Sequence, residues 1–463
     1  MIGSNRKKYF DWITLGIYLS LLTIGWLSIY SATSSFNENV DYLDISIPIV
    51  KQSVYMVSAI LIFMLAQFID WRFWHTFAYL IYGLALLLLL IVLIVGNEIN
   101  GAKAWFIIGG FSFQPSEFAK FATAISVSSY LAYFKVNLKA INFQWIVLGL
   151  ILAPVLLILF QPDAGSAITF FSLFILLYTE GLNPLYYIIG IVLLIIFICS
   201  IIFPLQYVFI SILILALLVS LYNIRKFKYL WLIVSSVIGI IIYLFIKVDP
   251  LYGYLASSVS LIFVMIILWR NRNERFAIFV PVSVVVLLLF SYSSLSVFSG
   301  LKEHQQERIK VWLKPSECDP RGSLYNILQS KVAIGSGGLF GKGFLNGNMT
   351  RLKYVPEQST DFIFSTIGEE HGFIGSILVI GLFFFLVFRI LDFSENCNNK
   401  FASFYSTSLA GFLILHVIIN IGMTLGLVPI IGIPLPFISK GGSSLIIFSL
   451  MLGIFMRLQA KSQ

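Results

Sequence analysis

The chain is divided by residues 301–372, which read LKEHQQERIKVWLKPSECDPRGSLYNILQSKVAIGSGGLFGKGFLNGNMTRLKYVPEQSTDFIFSTIGEEHG. This segment is polar, it holds a large share of the charged side chains, and its glycines cluster between Gly335 and Gly343. Apolar runs precede and follow it. Charged residues and conformationally free glycines gathered in one loop indicate that recognition or chemistry takes place there.

The flanking sequence has the composition of an integral membrane protein. Hydrophobic residues make up 59% of the chain, charged residues 11%, and the mean hydropathy is +0.95, whereas soluble domains carry about 25% charged residues. Repeated apolar runs of about 18 residues or more are typical of membrane-spanning helices, and the alternating segments of about 10 residues that build β-barrels are not seen. The first run follows Arg6, Lys7 and Lys8 without a cleavage site, so we expect a signal-anchor.

We therefore predict an all-α polytopic membrane protein with about fourteen transmembrane helices, forming a single transmembrane domain. The predicted spans are 12–32, 47–68, 75–96, 115–134, 144–160, 165–180, 183–203, 205–222, 229–247, 252–269, 276–298, 361–390, 402–427 and 441–457. The adjoining spans between 165 and 222 are the shortest of these, and a span needs about 20 residues.

The distribution of basic residues predicts the orientation. With the N-terminus inside, the cytoplasmic side receives Arg6 to Lys8, Arg72, Lys135, Lys139, Arg225, Lys226, Lys228, Arg270, Arg272, Arg275, Arg389, Lys400, Arg457 and Lys461. The outer loops 38–45, 161–165 and 248–253 are acidic or neutral. The positive-inside rule thus places both termini in the cytoplasm and a large loop, 299–360, outside the cytoplasmic membrane. Orientation also accounts for the net charge of +9, so we expect no nucleic-acid partner.

The outer loop is expected to contain short helices. Residues 302–313 mix charges with Ile309, Val311 and Trp312, which predicts an amphipathic helix, either at the membrane interface or simply solvated. Residues 324–334 predict a second short helix. Its apolar face would be formed by Leu324, Ile327, Leu328 and Val332. The run GSGGLFGKG predicts a tight loop with exposed backbone.

Cysteine and histidine give little indication of a site. Cys199, Cys318 and Cys397 are too dispersed for a metal cluster, and the predicted topology puts no two of them on one aqueous face, so we expect no disulfide. No sequence motif pairs the histidines. We interpret His416, on an apolar span, as a satisfied interior residue.

Two polar clusters begin predicted spans. In residues 101–120, Pro115 suits the first turn of a helix, and Glu117 and Lys120 follow at a spacing that lets them pair. A matched ionisable pair in a span is compatible with a structural role or a functional one, and both interpretations stay open. In FQPDAGSA, residues 160–167, Asp163 is interpreted as a helix N-cap.

Two further clusters lie at the same predicted surface. Asp319 precedes a proline, and such a carboxylate usually forms a turn. The alternative is a general base, because a carboxylate among cations keeps its charge while the cations hold a polyanion. The nearby cations are Arg308, Lys310, Lys314, Arg321, Lys331 and Lys342. Prolines and paired glycines in 426–444 break a span, which is tolerated only beside protein or a wet cavity.

Five blocks together resemble the SEDS family (shape, elongation, division and sporulation), which includes RodA and FtsW. They are FSFQPSEFAK, QPDAGSA, DPRGSLYNILQSKVAIGSGGLFGKGF, PEQSTDFIFSTIGEEHGFIG and NIGMTLGLVPIIGIPLPFISKGGSSL. They come in the family's order and cover most of the chain outside 182–300. PEQSTDFIF and GSGGLFGKGF are more similar to the elongation members, the RodA group.

The resemblance implies a peptidoglycan glycosyltransferase that polymerises lipid II on the outer face of the cytoplasmic membrane during cell elongation. Implied partners are lipid II, the growing glycan strand, a class B penicillin-binding protein, elongation-complex membrane proteins and membrane lipids. The resemblance implies that the family's essential carboxylate corresponds to Asp319, and that its tryptophan and charged pair correspond to Trp105 and to Glu117 with Lys120. The substrate-binding set that we expect is Trp105, Glu117, Lys120, Lys103, Arg308, Lys331, Lys342, Gln329 and Ser330.

The chain departs from the family pattern in three places. The family has about ten spans, and we expect the extra helices to form an insertion of helical hairpins near 205–275. Lys440 stands where the family has an aromatic residue, and Ser359 where it has a histidine. Lys103 replaces an arginine and grips an anion less firmly than a bidentate guanidinium.

The resulting hypothesis is that Asp319 removes the proton from the sugar 4-hydroxyl of an incoming lipid II, which attacks the anomeric carbon of the growing chain with inversion. Cations would stabilise the leaving undecaprenyl pyrophosphate. No metal motif is present in the sequence; a divalent cation, Mg²⁺ or Mn²⁺, held by Asp319 and a neighbour is an alternative to the lysine and arginine cations. Two alternatives are a lipid II flippase, disfavoured because few ionisable residues lie at midspan, and a scaffold that activates its penicillin-binding partner.

Overall fold

The computed structural model describes residues 11–33, 47–99, 101–133, 140–222, 228–270 and 274–462. The chain forms two compact units, one made of Met1–Asn183 with Asp319–Gln463 and the other of Pro184–Cys318. Several parts of the orientation prediction lie outside the described residues. They are the acidic loop 38–45 and the basic residues Arg6 to Lys8, Lys135, Lys139, Arg225, Lys226 and Arg272.

The first unit contains most of the helices. In its N-terminal part these are α1 (Trp12–Thr33), α2 (Pro48–Phe68), α3 (Trp71–Thr76), α4 (Ala78–Val95), α5 (Pro115–Tyr133), α6 (Ile141–Leu159), α7 (Ala164–Thr169) and α8 (Leu173–Thr179). A single 3-10 turn, Phe170–Ser172, joins α7 to α8. Its C-terminal part contributes α15 (Ser323–Ser336), α16 (Asn348–Arg351), α17 (Ile363–Asn396), α18 (Lys400–Thr424) and α19 (Gly442–Ser462).

Helix α5 lies in the interior of this unit. It packs against α4, α6, α18 and α19, and nearly all of its residues are buried. Its sequence, PSEFAKFATAISVSSYLAY, is rich in small and hydroxyl residues, which let neighbouring helices approach closely. The buried ionisable pair of Glu117 and Lys120 is therefore surrounded by protein rather than by lipid.

The second unit consists of α9 (Pro184–Ile202), α10 (Leu205–Tyr222), α11 (Lys228–Tyr243), α12 (Pro250–Arg270), α13 (Glu274–Gly300) and α14 (Glu303–Leu313). A five-residue π-helix, Leu244–Val248, continues α11. Apolar side chains of α10, α11, α12, α13 and the π-helix form its core, which includes Leu217, Val264 and Val284. The predicted insertion at 205–275 falls within this unit, and its status as an insertion stays a prediction.

A helix or a broken helix lies at each predicted span, so the predicted fold class, a polytopic helical membrane protein, is confirmed. Within the described residues nine helices are long and apolar enough to cross a membrane, and shorter apolar helices cover 164–179, 205–220, 236–248 and 250–266. Helix α5 is less apolar because it carries charged and hydroxyl side chains.

A small sheet precedes α5, and the sequence analysis missed it. Strands β1 (Asn97–Ile99), β2 (Ala102–Ile108) and β3 (Phe111–Phe113) pair antiparallel in the order β1-β2-β3. Gly109 and Gly110 connect β2 to β3, both with positive φ (55° and 83°). A two-residue turn of this kind suits a tight hairpin, and only glycine adopts both angles without strain. The Gly-Gly pair between WFII and FSF was the available signal.

The two short helices predicted in the long polar segment are present. Helix α14 covers 303–313 with Val311 buried, and its place at a membrane interface stays a prediction. For α15 the predicted apolar face was wrong in part: Leu328 and Val332 are exposed (43% and 54%). The buried face is formed by Leu324, Ile327, Ser330 and Ala333, because the helix packs on α17 and α18 along positions three residues apart.

The glycine-rich loop completes the hydrogen bonding of a broken helix. Helix α17 is interrupted at Gly372, whose φ is 64° and ψ −157°. In an unbroken helix Phe373 and Ile374 would donate to the carbonyls of Glu369 and Glu370. Instead those carbonyls accept from the amides of Lys342 and Gly343, while Phe373 and Ile374 donate to the carbonyls of Gly338 and Leu339. The predicted tight loop thus forms backbone hydrogen bonds with α17 on both sides of the break.

Candidate functional site

The beginning of α5 carries the predicted charged pair. Pro115 is the first helical residue, and Glu117 and Lys120 lie one turn apart on the same face. Lys120 Nζ is 2.8 Å from Glu117 Oε1, and both side chains are almost fully buried. Since 1.5 Å separates successive helical residues, Lys120 lies about 8 Å below Pro115 along the helix axis. Each charge has a partner of opposite sign, as a buried ionised side chain requires.

A histidine completes this pair. His416, on α18, is fully buried, and its Nε2 lies 3.0 Å from Lys120 Nζ. Its Nδ1 lies 3.1 Å from the carbonyl oxygen of Pro434. The sequence interpretation of His416 as a satisfied interior residue holds for its hydrogen bonds. It missed the partner, because Lys120 is 296 residues away in the chain.

The interpretation of Asp163 as a helix N-cap is confirmed. Its Oδ1 accepts from the amide of Ser166, at 3.0 Å, in the first turn of α7. Gln114 Nε2 donates to the other carboxylate oxygen at 2.8 Å. The backbone N–H of Gln114 in turn donates to Ser443 Oγ at 3.0 Å. These contacts join the starts of α5, α7 and α19.

The proline-rich segment between α18 and α19 has no regular structure and is held by side chains of the same unit. Asn420 Nδ2 donates to the carbonyls of Asp361 and Ile433, at 2.9 and 2.8 Å. Ser439 Oγ donates to the carbonyl of Thr360 at 2.6 Å. The broken span is therefore packed against protein, as predicted for residues 426–444.

The two departures from the family pattern in this region lie in contact. The amide of Lys440 donates to the carbonyl of Ser359 at 2.9 Å. Burial is the main cause that lowers the pKa of Lys440. The nearby Lys51 ammonium adds to this, and Glu357 opposes it. Substitutions at Lys440 and Ser359 therefore affect one place in the fold.

The sheet carries two residues of the expected substrate-binding set, Trp105 and Lys103. Trp105 is half-buried on β2, opposite Asn97 of β1. Lys103 is on the same strand, and its Nζ donates to the carbonyl of Ile94 at 2.9 Å. Lys103 therefore caps the end of α4, since carbonyls in the last turn of a helix lack intrahelical partners.

Asp319 lies in an exposed turn just before α15. Its Oδ1 accepts from the amide of Arg321 at 2.9 Å, and its carbonyl accepts from the amide of Gly322 at 3.1 Å. The turn interpretation is thus confirmed. The exposed carboxylate also lies before a helix N-terminus, where the helix dipole favours negative charge. Its role as a base stays a prediction.

Helix α15 connects Asp319 to the broken segment. Ser330 is fully buried, and its Oγ donates to the carbonyl of Thr424 at 2.9 Å, at the end of α18. Lys331 is exposed and lies beside Gly426, where an added Cβ would be 2.8 Å from Lys331 Nζ. Gln329 is half-buried. The structure therefore brings α15, which follows the Asp319 turn, and its Lys331 to the C-terminal end of α18.

Lys342 has a structural partner. Its Nζ lies 2.7 Å from Oε1 of Glu369, which is fully buried. Glu369 also accepts from the amides of Met349 and Thr350 and from Thr350 Oγ1. Ser31 and the amide of Leu345 donate to the adjacent Glu370. This network, which the sequence analysis did not find, fixes the glycine-rich loop.

Of the remaining predicted cations, Arg321 is exposed in the first unit, and Arg308, Lys310 and Lys314 belong to the second. Arg308 is half-buried on α14 and Lys310 is exposed. Lys314 forms an ion pair with Glu317, Nζ to Oε1 3.6 Å. In the part of the chain that the structure describes, no three His, Cys, Asp or Glu side chains lie close enough together to bind a metal ion. The divalent ion stays a prediction, and no step of the reaction depends on it.

Comparison with known proteins identifies the family. A family model described as cell cycle protein, covering FtsW, RodA and SpoVE, matches residues 12–231 and 208–463. Peptidoglycan glycosyltransferase RodA of Treponema pallidum (strain Nichols) is 31% identical over 454 residues, 98% of each chain. Peptidoglycan glycosyltransferase MrdB of Escherichia coli (strain K12) is 28% identical over 457 residues, 98% of this chain and 95% of MrdB.

Solved structures share the fold. The crystal structure of Thermus thermophilus rod shape determining protein RodA matches with a TM-score of 0.56 at 23% identity, covering 98% of this chain and 97% of RodA. A chain from a peptidoglycan synthase complex, solved for the structural coordination of polymerization and crosslinking, matches with a TM-score of 0.62 at 24% identity over 98% of both chains. The predicted family is confirmed: this chain belongs to the FtsW, RodA and SpoVE family of cell cycle proteins.

Proposed function

We propose that this chain is a peptidoglycan glycosyltransferase that polymerises lipid II into glycan strands, with Asp319 as the general base. The observation that carries the proposal is the exposed carboxylate of Asp319 at the start of α15. It occurs in a chain that is similar over 98% of its length to peptidoglycan glycosyltransferases. A base must be reachable by a substrate hydroxyl, and this carboxylate is reachable from water.

Three other carboxylates in the family blocks are already engaged. Glu117 is paired with Lys120, Asp163 with Gln114 and Ser166, and Glu369 with Lys342 and Thr350. Each of these has a buried or half-buried side chain. A group that holds the fold together in this way is a poor proton acceptor for an incoming sugar, which favours Asp319 over these three.

The reaction follows from this assignment. Asp319 accepts the proton of the sugar 4-hydroxyl of an incoming lipid II while the oxygen forms a bond to the anomeric carbon of the growing strand. The bond from that carbon to the pyrophosphate oxygen breaks, and undecaprenyl pyrophosphate leaves with inversion at carbon. A positioned base typically contributes about 10²- to 10⁴-fold to the rate.

Cations near the broken segment would stabilise the pyrophosphate. Lys331 is the strongest candidate because it is exposed and lies on α15, the helix that follows the Asp319 turn. Lys120 would act from a buried position, through its charge. Lys342 is held by Glu369, so we assign it a supporting role in the loop.

The decisive experiment measures glycan polymer from lipid II with purified Asp319→Ala and Asp319→Asn. We expect a loss of about 100-fold or more, because both variants remove the base. Glu317→Gln is the matched control: its side chain is exposed, two residues away, and its partner is the surface residue Lys314. Undiminished polymer from a folded Asp319→Ala protein would defeat the assignment. Lipid II transport without polymer would indicate the flippase instead.

We also propose the location and the partner. The chain is a multi-pass membrane protein, and the basic residues of its loops support the cytoplasmic membrane with both termini inside and Asp319 outside. The likeness to a chain of a peptidoglycan synthase complex supports a crosslinking partner, a class B penicillin-binding protein. Co-purification with class B candidates tests this. Polymer made while the partner's active site is disabled separates an enzyme from a scaffold.

A further inference from the structure

His416 joins parts of the first unit that are far apart in sequence. Its imidazole contacts Lys120 of α5 through Nε2, at 3.0 Å, and the carbonyl of Pro434 through Nδ1, at 3.1 Å. The ring itself belongs to α18 and is fully buried. One side chain therefore connects α5, which carries the charged pair, to the broken segment between α18 and α19.

The two partners require the same tautomer. A lysine ammonium has donors only, and a backbone carbonyl accepts only. A neutral imidazole offers one donor nitrogen and one acceptor nitrogen. Nε2 of His416 must therefore accept a hydrogen bond from Lys120, and the proton on Nδ1 must be donated to Pro434. A doubly protonated ring would direct an N–H at the ammonium, which is incompatible with the 3.0 Å separation.

The direction of the Lys120 ammonium follows from these contacts. One N–H is donated to Glu117 Oε1 at 2.8 Å and another to His416 Nε2. The ammonium also lies 5.6 Å from the centroid of the Phe448 ring, which packs edge-on against His416. With Glu117 alone, a lysine on a flexible stem could rotate about a single hydrogen bond. The histidine adds the second fixed acceptor.

We infer that His416 is a positioning residue for the Glu117–Lys120 pair, holding the Lys120 ammonium through the unprotonated Nε2 of its ring. The inference rests on the proposed function, in which the buried Lys120 ammonium stabilises the leaving pyrophosphate through its charge. His416 does not touch the reacting atoms. It fixes where the buried positive charge lies and couples that position to Pro434.

A matched pair of substitutions separates this role from a purely structural one. In His416→Gln the amide group reaches the place of Nε2, so its oxygen accepts from Lys120. In His416→Asn the amide lies at the place of Nδ1, so it donates to Pro434 and leaves Lys120 with Glu117 alone. If His416 acts through Lys120, polymerisation falls about 10- to 100-fold in the Asn variant, and the Gln variant restores most of it. The reverse order, or an equal loss in both, would overturn the inference.

A spectroscopic measurement tests the contact without relying on activity. The full-length protein, labelled with ¹⁵N-histidine in lipid nanodiscs, contains four histidines, and the Asn variant identifies the His416 signals. We expect a neutral ring protonated on Nδ1, with an Nε2 signal that moves in Lys120→Met. A proton on Nε2, or an Nε2 signal unchanged in that variant, would overturn the inference. If the wild-type protein made no glycan, the proposed function would fail while this test of the contact still gave its answer.

Discussion

Lys342 Nζ lies 2.7 Å from Oε1 of Glu369, and the carboxylate is fully buried while the lysine is partly exposed. The contact ties the glycine-rich loop to α17 at the point where that helix is broken. We predict that Lys342→Met lowers the free energy of unfolding by about 1.5 to 3 kcal/mol, since a charged hydrogen-bond partner is lost. Thermal melting in detergent measures this. Lys353→Met, at an exposed position in the same polar segment, is the control, and an equal effect in both variants would contradict the prediction.

Gly341 has no room for a side chain. Its φ is 80°, and an added Cβ would lie 2.1 Å from the carbonyl oxygen of Glu370. We predict that Gly341→Ala disrupts the loop and abolishes polymerisation. Gly335→Ala is the matched control on α15, where an added Cβ meets nothing within 4 Å, and it should gain up to about 1 kcal/mol of helix propensity. Comparable melting temperatures and activities in the two variants would refute this.

The hydrogen bonds of the Asp11 carboxylate should make an acid-sensitive contribution to the stability of the folded protein. Burial raises the pKa of this carboxyl group, but hydrogen bonds from Arg389, Thr14 and Gln459 outweigh this and hold the pKa below its ordinary value of 3.8. The carboxylate is thus favoured in the folded protein, so its contribution is complete above about pH 4 and is lost as the pH falls through the lower, folded-state pKa. Asp11→Asn should melt earlier at neutral pH and lose less stability between pH 5 and pH 3. Asp392→Asn, which removes an exposed charge from α17, is the control; an acid response of Asp11→Asn parallel to wild type would count against the contact.

The native cysteines report the orientation. We predict that a membrane-impermeant maleimide labels Cys318 in intact cells and labels Cys397 only after permeabilisation, since they lie on opposite predicted sides. Burial raises the pKa of the Cys318 thiol above its ordinary value of 9.0, and Glu307 adds to the effect. Because the thiolate reacts, labelling should accelerate as the pH rises toward and beyond 9. Cys318→Ser is the control, and protection of Cys318 in intact cells would reverse the topology.

The helical spans could be predicted because each depends on local composition. A run of about 20 apolar residues has few alternatives in a membrane, so α1, α2 and α4 begin and end within a few residues of their predicted bounds. The N-cap at Asp163 is equally local. The hairpin at Gly109 and Gly110 was predictable in principle, but its strands are short and adjoin an apolar span.

The site depended on contacts that the sequence does not encode locally. His416 and Lys120 are 296 residues apart, and no spacing rule connects them. Leu328 was placed on the buried face of α15 because it is apolar, whereas the helix buries Ser330, which bonds to Thr424. Tertiary partners decide which polar residues are interior, and a single sequence does not reveal them.

The exchange of backbone hydrogen bonds at Gly372 has a consequence for chimeric proteins. Helix α17 leaves two carbonyls and two amides that only residues 338–343 satisfy. A relative's α17 grafted without its glycine-rich loop, or the loop grafted alone, would leave four main-chain groups without these hydrogen-bond partners. The two stretches are therefore one structural module, and swap boundaries belong on either side of 337–374 rather than between its parts.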